Sequence, residues 1–148
     1  MIDRPHVAPT LVTVAGIVTI VGTFLPWVRS GSADRSSYAT FDIVDRLGFS
    51  PDGPVGWALR LWPLVPLLVV LSVVAVWWSH ETPQVMIVRR LLLPGAALYA
   101  GGTAFAIRLA PDVGLLRIGV GPTVTLVGAL GLIVAEVWWL AATRRRSA

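Results

Sequence analysis

The chain has 148 residues, of which 55% are hydrophobic and only 14% are charged, whereas a soluble domain carries about 25% charged residues. This composition leaves too little polar surface for a water-facing shell and indicates a small membrane protein. The net charge of +4 comes from twelve arginines scattered at the ends of apolar runs, which argues against nucleic-acid binding, and the absence of cysteine excludes disulfides and thiolate sites.

Four apolar runs are long enough to cross a bilayer, whose hydrocarbon core of about 30 Å needs about 20 helical residues. The predicted fold is all-α, an integral membrane four-helix bundle formed by residues 1–148 as one domain. The spans are predicted at residues 7–28, 57–78, 89–109 and 118–141, with an outer loop at 29–56. The first run exceeds the length of a signal-peptide core, so we expect a retained span although "GSA" at 31–33 resembles a cleavage site.

The first outer loop is too long for a simple connection between helices, which usually takes two to eight residues. Within it, "SSYATFDIVDRLGF" carries apolar residues at helical spacing, with Ser37 placed to cap a helix and Gly48 placed to end it. We therefore expect a short amphipathic helix over the outer end of the bundle, acting as a docking surface rather than a lid. The partner-contact candidates are Tyr38, Phe41, Val44, Leu47 and Phe49.

Glu136 is the one acid inside a predicted span, and an ionisable group at membrane depth suggests function by default. It lies one to two turns from the interface, close to where Arg89 and Arg90 begin the third span. We favour a structural intramembrane ion pair between Glu136 and one of these arginines. Proton or cation coupling and contact with a partner subunit remain alternatives.

Three other arginines, Arg60, Arg108 and Arg117, occupy outer ends of the spans. Ordinary interface anchoring explains them, and together they are also candidates for holding a lipid headgroup phosphate. The tryptophans near the span ends, including Trp27, Trp57 and Trp62, are expected to be interface anchors. "RRR" at 144–146 and the Arg89–Arg90 pair favour cytoplasmic termini, in a multi-pass protein of the cytoplasmic membrane.

Small residues four positions apart predict close helix contacts, either inside the bundle or along a homo-oligomer seam. The pairs are Ala97–Gly101, Gly102–Ala106 and Gly131–Ala135. On the last span, Thr125, Gly128, Leu132 and Glu136 share one stripe, which turns Glu136 toward protein.

The segments "GTFLPWVRSG", "RSSY" and "DRLGF" resemble small, uncharacterised actinobacterial membrane proteins with four helices and Leu-Pro-Trp at the first outer boundary. The resemblance covers mainly residues 20–65. The layout of four spans with a long first outer loop is also similar to the claudins. The loop has no cysteine and so departs from the claudin signature, which leaves topology as the only shared feature.

No metal, cofactor or catalytic motif is recognisable, because His6 and His80 have no acidic neighbours at the spacing of a metal site or a catalytic pair. We therefore expect a non-enzymatic accessory or scaffold subunit of a larger membrane or cell-envelope complex, with the lipid bilayer as its solvent and homo-oligomers possible. The alternative is a small oligomeric transporter of a lipid-linked or cationic solute, which the prolines and glycines of the spans would permit.

Overall fold

The computed structural model describes residues 7–48, 53–78, 83–109 and 116–144. Within these ranges the chain is mostly helical, and four helices are long and apolar enough to cross a membrane. Their candidate spans are Val7–Phe24, Leu59–Trp78, Val85–Leu109 and Gly121–Ala141. Helices satisfy their backbone hydrogen bonds internally, which is necessary in lipid because no water is present to form them. The four candidate spans fit a multi-pass membrane protein.

In chain order the elements are α1 (Val7–Phe24), β1 (Pro26–Ser30), β2 (Ala33–Ser36), α2 (Ser37–Arg46), α3 (Pro54–Leu61), a 3-10 turn (Trp62–Leu64), α4 (Val65–Trp78), α5 (Pro83–Leu109), β3 (Leu116–Ile118) and α6 (Gly121–Arg144). Pro63 and Pro66 lie at the join between α3 and α4, where a missing backbone donor is tolerated because the helix changes to the tighter 3-10 form. The second span is therefore one apolar rod with an irregular start.

The four long helices form a bundle in which α1 packs against α6 and α4, and α5 packs against the same two helices. Two apolar clusters fill its interior. Val65, Val69, Ala96 and Ala100 belong to one, and Val12, Val76, Leu93, Ala97, Leu132 and Ala135 form the other. Because alanine and valine dominate these clusters, the helix axes approach closely and gain dispersion contacts, the main attraction between helices in lipid.

A three-stranded antiparallel sheet of order β2-β1-β3 lies at the end of the bundle where α1 ends and α6 begins. β1 pairs Arg29 with Asp34 of β2 on one side and with Arg117 of β3 on the other. We call β1, β2, α2 and β3 the cap, and this end of the bundle the capped end. The prediction of an all-α fold did not include the sheet.

The structure corrects the end of the first predicted span, because α1 stops at Phe24 instead of continuing to residue 28. Pro26 disfavours helical geometry at Leu25, and strand pairing then satisfies the backbone groups that the helix would have used. The last span likewise begins at Gly121 rather than at residue 118, which lies in β3. The third helix is longer than predicted and starts at Pro83.

Candidate functional site

The cap is joined to the bundle by four aromatic side chains that meet edge to face. Trp62 lies at the centre, with ring centroids 5.1 Å from Trp27, 5.3 Å from Phe41 and 5.7 Å from Tyr99 of α5. Each such contact contributes about 0.5–1.5 kcal/mol beyond the area it buries. The interface-anchor interpretation of two tryptophans is wrong, because Trp27 is 0% and Trp62 1% exposed.

Buried hydrogen bonds fix the same joint. Ser37 is fully buried, and its hydroxyl accepts a hydrogen bond from Trp62 Nε1 at 2.8 Å and donates one to the Thr23 carbonyl at 2.7 Å. Trp27 Nε1 donates to the Gly22 carbonyl at 2.9 Å. These bonds satisfy both buried indoles and two carbonyls at the end of α1, and they fix the start of α2 against the bundle.

Tyr38 adds a further bond between α2 and α1. The Thr23 hydroxyl donates to the Ile20 carbonyl at 2.7 Å, so Tyr38 OH is the donor in its 2.9 Å bond to Thr23 Oγ1. Burial raises the pKa of the Tyr38 phenol above 10.0. The phenol therefore stays protonated at neutral pH and keeps its role as donor.

α2 is capped by Ser36, whose side chain accepts a hydrogen bond from the Ala39 amide at 3.4 Å, and not by Ser37 as the sequence suggested. Ser37 is drawn inward to the Thr23 carbonyl instead. The helix ends as expected, since Gly48 adopts a φ of 70°, a left-handed conformation that glycine reaches without steric cost.

Of the four partner-contact candidates that the structure describes, only Leu47 is strongly exposed, at 62%. Phe41 is buried in the aromatic cluster, so it anchors the cap and offers no contact surface. Tyr38 and Val44 are half-buried, and Phe49 lies outside the described residues.

The exposed face next to Leu47 is formed by α2 and α3. Trp57 is 64% exposed, Arg60 Cζ lies 6.0 Å from its ring centroid, and Arg60 Nε lies 3.5 Å from Asp45 Oδ1 of α2. The i,i+4 pair Asp42–Arg46 continues this face along α2. We call this surface the α2–α3 face, formed by Asp42, Asp45, Arg46, Leu47, Trp57 and Arg60. The face combines exposed apolar side chains with charged side chains around them. The sequence analysis did not name Trp57 as a partner-contact residue, because every tryptophan was assigned to the membrane interface.

Glu136 faces the bundle interior, where Arg89 Nη2 donates to its Oε2 at 2.6 Å and the two side chains are only 9% and 4% exposed. The Arg89 guanidinium also lies 4.4 Å from the Trp139 ring centroid, while its Nε is buried without a hydrogen-bond partner. Arg90, the other arginine that the sequence offered, is exposed and lines an open groove between α5 and α6.

The three headgroup candidates do not share one site. Arg60 belongs to the α2–α3 face, where it contacts Asp45. Arg108, at the end of α5, lines a separate cavity together with Arg29 of β1, and Arg117 sits opposite Arg29 in the sheet. Arg29 was not among the predicted headgroup candidates, because its position beside β3 results from strand pairing.

The small-residue pairs are divided between interior and surface. Gly101 packs against Ala129 and Gly131 against Ala15, so these two glycines mark helix contacts within the bundle. Gly102 and Ala106 are exposed on α5, and a Cβ on Gly102 would meet open space. Among the residues that the structure describes, no group of histidine, aspartate or glutamate side chains forms a metal site.

Comparison of the chain with protein-family models, with curated proteins and with solved structures finds no match. The functional argument below consequently rests on the geometry of these residues.

Proposed function

We propose that the chain is a non-enzymatic accessory or scaffold subunit that binds a larger membrane or cell-envelope complex through the α2–α3 face. In this proposal the capped end faces the extracytoplasmic side of the cytoplasmic membrane, and both termini lie in the cytoplasm. Arg144 at the end of α6, which begins the sequence "RRR", and the Arg89–Arg90 pair near the start of α5 support that orientation, because both lie at the end opposite the cap.

The observation that carries the proposal is that the exposed α2–α3 face belongs to a segment held against the bundle by buried contacts. The aromatic cluster and the buried hydrogen bonds of Ser37 hold α2 against the bundle, so little conformational entropy remains to be lost when a partner binds. Preorganised surfaces of this kind bind more tightly than mobile loops of equal area.

The composition of the α2–α3 face matches that of protein interfaces. Tryptophan and arginine are enriched at binding hot spots, and in this face the Arg60 guanidinium lies over the Trp57 ring. Leu47 adds exposed apolar area, while the pairs Asp42–Arg46 and Asp45–Arg60 provide a polar rim. We propose that Trp57 inserts into an apolar pocket on the extracytoplasmic part of the partner.

Site-specific photocrosslinking in intact cells tests this proposal. A photoreactive residue at position 57 or 47 should give one discrete heterologous adduct, whereas the lipid-facing position 130, which is also exposed, should not give it. Trp57→Ala should weaken the purified complex on the order of 30-fold, the loss typical of a hot-spot residue. Crosslinks only to lipid or to a second copy of this chain would reject the accessory role.

A transporter is the second candidate function, and a groove between α5 and α6 favours it. The groove has a volume of about 520 Å³ and is lined by Glu136, Arg90, Leu93 and Pro94. Pro94 has no amide hydrogen, so it cannot donate the helical bond to the Arg90 carbonyl, and such interruptions occur in transporter helices.

Proteoliposomes distinguish the two candidates. Transport requires that wild-type protein accelerate the movement of a fluorescent phospholipid or of a monovalent cation across the bilayer, and that Glu136→Gln abolish this movement while remaining folded. Equal rates in protein-free liposomes, wild-type protein and the variant would remove the transporter from consideration.

A further inference from the structure

A small cavity opens at the capped end on the surface formed by β1, β3, the end of α5 and the start of α6. Its volume is about 280 Å³, and its lining includes the polar residues Arg29, Arg108 and Thr123. Arg108 comes from the last turn of α5 and Arg29 from the central strand of the sheet, so tertiary folding brings two arginines to one concave surface.

The charges around this cavity are not balanced among the described residues. Arg29 forms a two-point ion pair with Asp34, at 2.6 Å and 3.2 Å. Arg117 is the direct cross-strand partner of Arg29 in β3, and like charges at such positions are destabilising. The two arginines of the lining, Arg29 and Arg108, exceed the one paired aspartate, Asp34, by one positive charge, which an anion between them would offset.

The chemistry of the lining selects the class of anion. A guanidinium presents a planar fork of donors that matches the oxygens of a phosphate, and the hydroxyl of Thr123 supplies a further donor. The helices that meet at the cavity also carry exposed apolar side chains, Phe105 and Leu109 on α5 and Val127 on α6, and exposed Val120 lies just before α6. A phosphate held here would therefore lie above a hydrocarbon-facing surface, as the headgroup of a phospholipid does.

We infer that the cavity between Arg29 and Arg108 is a phosphate-binding site, occupied by a phospholipid headgroup or by free phosphate. This site goes beyond the proposed docking function and is independent of it, since Arg60 and Trp57 of the α2–α3 face do not line the cavity. Failure of the docking proposal would leave this site intact, and the reverse also holds.

The test uses the purified full chain in an uncharged detergent and measures binding by calorimetry. The probes are inorganic phosphate, short-chain phosphatidylglycerol and a diacylglycerol of equal chain length that lacks the phosphate. Arg108→Gln removes one charge from the cavity, and Arg60→Gln is the matched control, removing one charge at the same end of the bundle but outside the cavity.

Phosphatidylglycerol should bind wild-type protein, Arg108→Gln should weaken it by about tenfold or more, and Arg60→Gln should change it less than about twofold. Arg108→Lys keeps the charge but loses the fork, so its affinity should fall between wild type and Arg108→Gln. This variant also separates loss of binding from loss of folding.

The probes identify the source of the phosphate. If inorganic phosphate binds and displaces phosphatidylglycerol, and both depend on Arg108, the site recognises phosphate from either source. Arg108-dependent binding of only one probe assigns the site to that source. Equal affinity of Arg108→Gln and Arg60→Gln for every probe, or diacylglycerol binding as tight as phosphatidylglycerol, would overturn the inference.

Discussion

Gly22 of α1 packs directly against the backbone of Thr125 of α6, and a Cβ at position 22 would overlap that backbone. The same contact recurs one turn away with the roles exchanged, since Gly128 of α6 packs against Thr19 of α1. The sequences "TIVG" at 19–22 and "TLVG" at 125–128 thus form a reciprocal antiparallel contact. It holds together the two helices from which β1 and β3 extend.

Gly22→Ala should therefore destabilise the protein by about 1–3 kcal/mol, because the added methyl forces two backbones apart. Gly102→Ala is the matched control, since its methyl enters open space on the same bundle and should change stability by less than about 1 kcal/mol. Reversible unfolding in mixed micelles, followed by circular dichroism, measures both. Equal effects of the two substitutions would show that the α1–α6 contact does not govern stability.

The Arg89–Glu136 pair should behave as a buried ion pair. Removing one partner, as in Glu136→Leu, leaves an uncompensated buried charge and should cost about 3–5 kcal/mol. Replacing both, as in Arg89→Met with Glu136→Leu, should recover most of that loss because no charge remains buried. The same unfolding assay on both single variants and the double variant gives the coupling energy. Additive losses would mean that the two side chains do not interact.

Ser37→Ala should destabilise the cap more than Ser36→Ala. The first substitution leaves the Trp62 indole and the Thr23 carbonyl without their buried partner, at a cost of about 1–3 kcal/mol. The second removes a longer helix-capping bond, worth about 1 kcal/mol or less. Thermal unfolding followed by tryptophan fluorescence compares them. A larger loss for Ser36→Ala would show that the Ser37 hydroxyl does not fix the cap.

Alkaline pH should weaken the folded state through Tyr38, whose pKa in the folded protein is raised above 10.0. Below pH 10.0 the phenol is protonated in both the folded and the unfolded state, and its contribution to the free energy of unfolding is fully present. As the pH rises from 10.0 through the folded pKa, the unfolded chain loses this proton first, so the free energy of unfolding decreases.

Tyr38→Phe has no proton to lose at this position, so its stability should fall less steeply between pH 10 and the folded pKa. Denaturant unfolding at a series of pH values measures the slope, and the other tyrosine of the chain contributes equally to both proteins. Identical slopes for wild type and Tyr38→Phe would contradict the raised pKa.

The four apolar helices, the membrane environment that they indicate and the place of Glu136 inside a span could be predicted from the amino-acid sequence. These follow from local properties, because hydropathy is summed over one run of residues and does not depend on which helix packs beside it. Arg89 and Arg90 were the candidates for pairing with Glu136, since alternation of helix direction places the start of the third helix beside the end of the fourth. The structure was needed to show that Arg89 is the arginine that pairs with Glu136.

Which apolar residues face protein and which face lipid could be read only from the packing of the helices. In water the buried face of a helix is the hydrophobic one, but in a bilayer both faces are apolar and the sequence pattern does not separate them. The structure shows that Trp27 and Trp62 are buried between the cap and the bundle, whereas Trp57 is exposed. The sheet that brings Arg29 toward Arg108 likewise depends on pairing between strands far apart in the chain, which no local pattern encodes.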